Sequence, residues 1–156
     1  MTLMASQIVK RTIRLKAISP IRNEAMANSG NILPGNLVYL LSTGLVDNHS
    51  VAGGYAPEKA FAVEDELQGN NIDTLYASGA VVQYEIYRSG DEVLVNLASG
   101  NTVNEGDKLE SNGNGQVRKV VHSSAGLEAN QSVLGIALQA LTTSSGVSPR
   151  LKMRVL

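Results

Sequence analysis

Short runs of alternating apolar and polar residues recur along the 156-residue chain. Near the N-terminus, Ile13 and Leu15 alternate with Arg14 and Lys16. A period of two places apolar side chains on one face of a β-strand and charged ones on the other. This kind of pattern predicts strands over residues 11–19, 81–88, 92–97, 117–121, 133–141 and 151–155.

Glycine and asparagine separate these strands and predict tight turns, because both residues tolerate the positive φ that short hairpins require. Residues 81–88 and 92–97 flank Ser89-Gly90-Asp91, so we expect them to pair with each other as a hairpin. The predicted structural turn residues are Gly35, Gly90, Gly106, Asp107, Gly113 and Gly115.

Two segments share the same order of features and predict two related β units, at residues 33–66 and 100–141. Each has a glycine-rich strand–turn–strand followed by a loop. Each then ends in a strand of small apolar residues, which covers residues 60–63 in the first unit and 134–138 in the second.

Two short segments are ambiguous in the sequence. Residues 60–66 follow Pro57 and suit either a helix or a strand, and their likeness to residues 134–138 favours the strand. Residues 22–28 are compatible with a short helical turn.

The pattern as a whole predicts an all-β chain with about nine to eleven strands and little helix. We expect a compact antiparallel β-barrel or sandwich. Residues 1–23 are predicted to form a basic N-terminal arm and the first strand, and residues 24–156 a single β domain. A chain of this length can bury a core without disulfide bonds.

Composition limits the chemistry of the chain. It contains no cysteine, which excludes disulfides, thiol nucleophiles and thiolate metal sites and suits a reducing cytoplasm. Hydrophobic residues make up 43% of the sequence, a globular value. No apolar run approaches the length of a membrane helix, so we expect a soluble protein without a signal peptide or a membrane partner.

Charge is unevenly distributed although the net charge is only −1. Residues 1–23 carry five basic residues and no acid, residues 150–156 carry three basic residues, and residues 24–149 hold all 14 acids with five bases. An acidic body repels phosphates, so no nucleic-acid partner is expected over most of the surface. The arm residues are candidates for binding an acidic protein groove, although alternating charges are also typical of a solvated strand face. They are Lys10, Arg11, Arg14, Lys16 and Arg22.

No catalytic, metal-binding or cofactor-binding pattern is present. His49 and His122 lie in separate polar loops and are predicted to be exposed, without the clustered donors that zinc requires. Asp47, His49 and Ser50 include the residue types of a catalytic triad, but near neighbours on one loop rarely face each other. We therefore expect neither enzymatic activity nor a metal or cofactor.

The tyrosines are scattered and predict no stacking platform for bases or sugars. Tyr55 and Tyr76 flank loops and are candidates for contact between subunits, with ordinary surface packing as the alternative. Tyr87 and Arg88 lie near the tip of the predicted 81–97 hairpin and are further candidates. The loop at residues 47–57 is long for a compact β domain, and long loops are common contact sites.

An ordered set of motifs gives the chain a family resemblance over residues 33–141. It resembles the head decoration, or capsid cement, proteins of tailed bacteriophages. The motifs are Gly35…Val38, Glu66-Leu67-Gln68-Gly69…Tyr76-Ala77-Ser78-Gly79, Gly90-Asp91-Glu92-Val93, Gly100-x-x-Val103-x-x-Gly106-Asp107-x-Leu109, Gly115-x-Val117 and Leu134-Gly135-Ile136-Ala137-Leu138.

The resemblance implies a β-tulip-like domain on the outer surface of the virion. Such a protein would be made in the host cytoplasm and would bind the major capsid protein of an expanded head, locking neighbouring subunits together. It would assemble with itself, most commonly as a trimer, with a dimer as the other option. The family offers no catalytic residues to transfer.

Two other functions remain open from the sequence. One is a carrier or adaptor domain, because the glycine-turn motif also resembles biotinyl and lipoyl carriers, and Lys108 and Lys152 are the nearest candidates for a modified lysine. The other is a sugar- or peptide-binding β module of a phage tail or cell surface.

Overall fold

The computed structural model describes residues 12–121, 132–144, 146 and 149–156. The fold is all-β, with several antiparallel sheets that do not close into a barrel within these residues. The strands are β1 (Arg14–Lys16), β2 (Ile21–Met26), β3 (Val38–Leu40), β4 (Val46–Asn48), β5 (Ala60–Ala62), β6 (Val81–Ile86), β7 (Glu92–Asn96), β8 (Thr102–Val103), β9 (Lys108–Ser111), β10 (Val117–Lys119), β11 (Gly135–Ala137), β12 (Leu141–Thr142) and β13 (Arg150–Val155).

The largest sheet has six strands in the order β1-β7-β13-β11-β9-β10. A three-stranded sheet has the order β2-β6-β5, and β3-β4 and β12-β8 form two small sheets. A one-turn 3₁₀ helix covers Glu66–Gln68. Among the described residues, no helix has the length and apolarity needed to cross a membrane.

Strand β5 of the three-stranded sheet contributes apolar residues to two hydrophobic cores. Phe61 of β5 belongs to the same hydrophobic core as Val95 and Met153 of the large sheet. Its neighbours Ala60 and Ala62 belong to a second core formed with the β3–β4 hairpin. The alternation of a strand thus explains why all three residues of β5 are buried. The strand predicted over residues 60–66 is confirmed for Ala60–Ala62.

The strands β6 and β7 lie where the sequence predicts them, but their predicted pairing as a hairpin is wrong. β6 pairs with β2 and β5, whereas β7 pairs with β1 and β13. The connection is a corner between two sheets. The Asp91 carboxylate accepts the Arg88 N–H at 2.9 Å, and the Gly90 N–H bonds to Val155 of β13 at 2.9 Å. These contacts turn the chain out of one sheet and into the other.

The predicted helical turn at residues 22–28 is also wrong, because Ile21–Met26 form strand β2 along the edge of β6. In both predicted β units, the strand that follows the hairpin lies beside the first part of that hairpin. In the second unit, β11 pairs with β9, the first arm of the β9–β10 hairpin. In the first, Leu37, just before β3, bridges to Phe61 of β5. The division of the chain into two related units stays a prediction.

The predicted turn glycines adopt the left-handed backbone that the sequence requires, with φ between +81° and +95°. At Gly35 the space for a side chain is limited as well, since a Cβ there would lie 3.1 Å from Nδ2 of Asn96. Asp107 closes its turn by accepting the Asn104 N–H at 2.8 Å and pairing with Lys119 at 2.9 Å. The hydrogen bond from the Asn104 N–H is the largest cause that lowers the pKa of this carboxyl, and the Lys119 ammonium lowers it further.

Candidate interaction surface

Two residues of the predicted basic arm converge on one buried carboxylate. Arg14 on β1 forms a two-pronged ion pair with Glu85 on β6, in which its Nε donates to Oε2 at 2.9 Å. Arg22 lies 3.9 Å from the same carboxylate, and the Tyr87 hydroxyl donates to it at 2.7 Å. Glu85 is 1% exposed. Because β1 belongs to the large sheet and β6 to the three-stranded sheet, the ion pair between Arg14 and Glu85 joins the two sheets.

The electrostatics of this cluster favour the charged pair. Burial by itself would raise the pKa of Glu85, but hydrogen bonds from Arg14 and Tyr87, together with the charges of Arg14 and Arg22, outweigh it and hold the pKa below 4.5. The Glu85 hydrogen bond raises the pKa of Arg14. Burial, and then donation to the Glu85 carboxylate, raises the pKa of the Tyr87 hydroxyl.

This geometry gives Arg14 a role in the fold, because its guanidinium is paired with the buried Glu85. Arg22 reaches the same carboxylate only at 3.9 Å and keeps a side chain that is 41% exposed, so it stays a candidate for contact with a partner. From residue 12 onward the segment is integrated in the structure, with Ile13 fully buried. Lys16 is exposed on the edge strand β1. Lys10 and Arg11 lie outside the described residues.

A cavity of about 310 Å³ adjoins the cluster, lined by both acidic and basic groups. Its carboxylate Glu64 already accepts the Ile13 N–H at 3.1 Å. Across the described ranges, no group of three or more metal-ligating side chains comes together. The cavity is therefore a gap beside an ion-pair cluster.

The prediction that His49 is exposed is wrong. His49 is 5% exposed, with Nδ1 lying 2.7 Å from the Ser111 hydroxyl and Nε2 3.2 Å from the Tyr55 carbonyl. Ser111 is fully buried and accepts the Gly113 N–H, so it is not accessible as a nucleophile. Asp47 accepts hydrogen bonds from Asn28 and Ser29 instead of from the imidazole. The contact between His49 and Ser111 anchors the loop after β4. His122 lies outside the described residues.

Of the four residues proposed for subunit contact, two are buried and two are exposed. Tyr76 and Tyr87 are buried, at 6% and 3% exposure, so they are wrong as surface contacts. Tyr76 donates to the Val63 carbonyl at 2.7 Å, and burial raises its pKa to about 12. Tyr87 donates to Glu85. Tyr55 and Arg88 are exposed and stay candidates.

The clearest candidate interaction surface surrounds Tyr55, which is 62% exposed. Its loop also exposes Val51, and the neighbouring β3 exposes Leu40. A shallow cavity of about 260 Å³ lies between Leu40 and Pro57. We call Tyr39, Leu40, Val51, Tyr55 and Pro57 the Tyr55 surface.

Contacts beneath the Tyr55 surface hold it in place. The Tyr39 ring packs edge-on against His49 at 5.8 Å between centroids, and its hydroxyl lies 3.4 Å from Ser50. The Gly53 N–H bonds to the Ser111 carbonyl at 2.8 Å. Lys59 Nζ lies 6.0 Å from the centre of the Tyr55 ring. The sequence indicated the loop and Tyr55, but it carried no signal that Leu40 on β3 would be exposed.

The candidate carrier lysines do not lie at hairpin tips. Lys152 is in the middle of β13, paired with Leu94 of β7. Lys108 begins β9 and pairs with Ile136 of β11. A lysine that carries a swinging group must project from a turn, so neither position has the expected geometry.

Comparison with solved structures finds a similar fold in a phage protein. The chain is similar to the crystal structure of the head fiber gp8.5 N base in bacteriophage phi29, with a TM-score of 0.55 and 11% identity, over 88% of this chain and 95% of that chain. At this identity the likeness shows the fold alone. No protein-family model matches the chain, and no curated protein matches it.

Proposed function

We propose that this chain is a structural protein of a bacteriophage virion that binds the outer surface of an expanded head and links neighbouring major capsid subunits. The observation that carries the proposal is the fold shared with a phage head fiber base over nearly the full length of both chains. The ordered motifs that resemble capsid decoration proteins support it independently.

The Tyr55 surface is the proposed contact with the capsid. Exposed tyrosine and aliphatic side chains are typical of interface centres, and tyrosine gives a large rigid contact with a polar tip. His49 and Ser111 fix the loop from below. A loop ordered before binding loses less conformational entropy when it binds.

The proposed partners are the major capsid protein and further copies of this chain, with a trimer as the proposed assembly and a dimer as the alternative. Contacts repeated around a shell can be individually weak, because linked contacts gain avidity. The acidic region between residues 24 and 149 favours a location away from packaged DNA. No catalytic role and no cofactor form part of the proposal.

A second candidate is a head-attached protein that does not cement the shell. The observation that favours it is that the similar phage structure is the base of a head fiber. Binding is common to both candidates, whereas stabilisation belongs only to the cement. The two are therefore separated by measuring both properties on the same particles.

The test uses expanded heads that lack decoration. Purified chain is added, bound protein is measured by co-sedimentation, and head disruption is followed with heat and with a chelator. A cement binds and raises the temperature of disruption. Binding without stabilisation would support the attachment role, and failure to bind would contradict both.

Truncation of the proposed contact residue gives a sharper prediction. Tyr55→Ala is expected to weaken head binding roughly tenfold, the loss of about 1.4 kcal/mol typical of a moderate hot spot. Its thermal transition should stay unchanged because the side chain is exposed. The matched control is Leu67→Ala, which removes an exposed apolar group from the 3₁₀ helix. Equal effects of the two variants would contradict a specific role for Tyr55.

A further inference from the structure

Among the residues that the structure describes, no strand pairs along the outer edge of β2. Within the described residues β2 pairs with β6 on one side, from Ile21 to Met26. On the other side its neighbour among those residues is β4, where Ala27 bridges to Val46 just beyond the end of the strand. An unpaired row of backbone N–H and C=O groups is a template for another strand.

The hydrogen bonds beyond β2 show which residues face this edge. The Ala27 N–H bonds to Ala80, at the start of β6, whereas the next N–H, of Asn28, bonds to Val46 on the opposite side. Backbone direction alternates along a strand. The odd-numbered residues of β2 therefore bond to β6, and Arg22 and Glu24 direct their N–H and C=O groups outward.

We infer that this edge pairs with β2 of a second copy of the chain, antiparallel across a two-fold axis at Asn23. In that register Arg22 of each copy lies opposite Glu24 of the other, and each such pair exchanges two backbone hydrogen bonds. The three-stranded sheets of the two copies join into one continuous sheet.

Charge selects this register and this partner. Moving the axis to Glu24 would place two carboxylates opposite each other, and moving it to Arg22 would place two guanidinium groups opposite each other. Like charges directly opposite on neighbouring strands are destabilising, and opposite charges are favourable. Of these three registers, the Asn23 register satisfies both the outward backbone groups and the side-chain charges.

The contact is isologous and joins two copies only. It is independent of the proposed role on the head, because it can be measured on the free chain. In a trimeric assembly it would link one trimer to the next and leave the threefold contacts to another surface.

Cysteine cross-linking tests the register directly, since the natural chain has no cysteine. Across a non-hydrogen-bonded antiparallel pair the two Cα atoms are about 4.5 Å apart, within the range a disulfide spans. Asn23→Cys is expected to form a covalent dimer under mild oxidation, about tenfold or more faster than the exposed turn variant Ser89→Cys, because the contact raises the local thiol concentration. Equal rates for the two variants would overturn the inference.

Proline substitution tests the backbone directions. Glu24→Pro removes an outward N–H and is expected to abolish the dimer in native mass measurements while keeping the monomer folded. Ala25→Pro removes an N–H that bonds to β6 and should destabilise the monomer itself. A wild-type chain that stays monomeric at high concentration, or a Glu24→Pro variant that keeps the dimer or unfolds like Ala25→Pro, would overturn the inference.

Discussion

Arg14→Ala is expected to lower the free energy of unfolding by roughly 3 kcal/mol, the lower end of the cost of breaking a buried ion pair. The value is at the lower end because Arg14 is half-exposed and because Arg22 and Tyr87 still face Glu85. For a chain of this length the change corresponds to a fall in Tm of about 6–12 °C. Urea unfolding at neutral pH measures it.

The control for this variant is Lys16→Ala, on the same strand. Lys16 is exposed and pairs through its backbone with Glu92, so its truncation should change stability by less than about 0.5 kcal/mol. Equal losses for the two variants would contradict the structural role given to Arg14. Charge reversal at Lys10 and Arg11, with head binding as the readout, then tests the remaining arm residues.

The same ion pair gives a pH dependence whose sign follows from the lowered pKa of Glu85. The stabilisation is complete above the ordinary value of 4.5 and is lost as the pH falls through the lower pKa of the folded state. Glu85→Gln should therefore be less stable than the wild type at neutral pH, and the difference should shrink below pH 4.5. A difference that is constant with pH would contradict this assignment.

Gly135→Ala is expected to cost about 3 kcal/mol, the upper end of the range for overpacking a core. A Cβ at this position would lie 2.6 Å from Cγ of Met153 and would collide with the backbone carbonyl of Arg154. Both contacts belong to β13, so the added methyl group pushes apart two central strands of the large sheet. Thermal and urea unfolding of the variant measure the loss.

Gly30→Ala is the matched control for the central glycine. The Cβ added there would meet only the Ser78 backbone nitrogen, at an ordinary 3.5 Å. Its stability should change by less than about 0.5 kcal/mol. If Gly135→Ala were as well tolerated as Gly30→Ala, the close packing of β11 on β13 would be wrong.

The sequence predicted strands better than it predicted how they pair. The alternation near Ile13, and again from Leu151 to Val155, is a local signal of a half-buried strand, and both segments are strands with the expected faces buried. The pairing of 81–88 with 92–97 failed because a Ser-Gly-Asp turn looks the same in a hairpin and at a corner between sheets. The difference is made by Val155, far away in sequence, which bonds to Gly90.

The roles of polar residues were harder to predict because their partners are distant in sequence. Arg14 and Glu85 are 71 positions apart, and His49 and Ser111 are 62 apart. An alternating charge and a loop histidine are usually solvated, so neither residue carries a local signal of burial. Tyr55 was predictable because it lies in a long loop with small neighbours, and the structure exposes it.

The central claim is that this chain binds the outside of a phage head, and cryo-electron microscopy of undecorated expanded heads incubated with the chain tests it most directly. We predict added density on the outer surface that fits this fold, with the Tyr55 surface against capsid subunits and each copy contacting more than one of them. A reconstruction identical to that of the untreated head, or density on its inner surface, would contradict the claim.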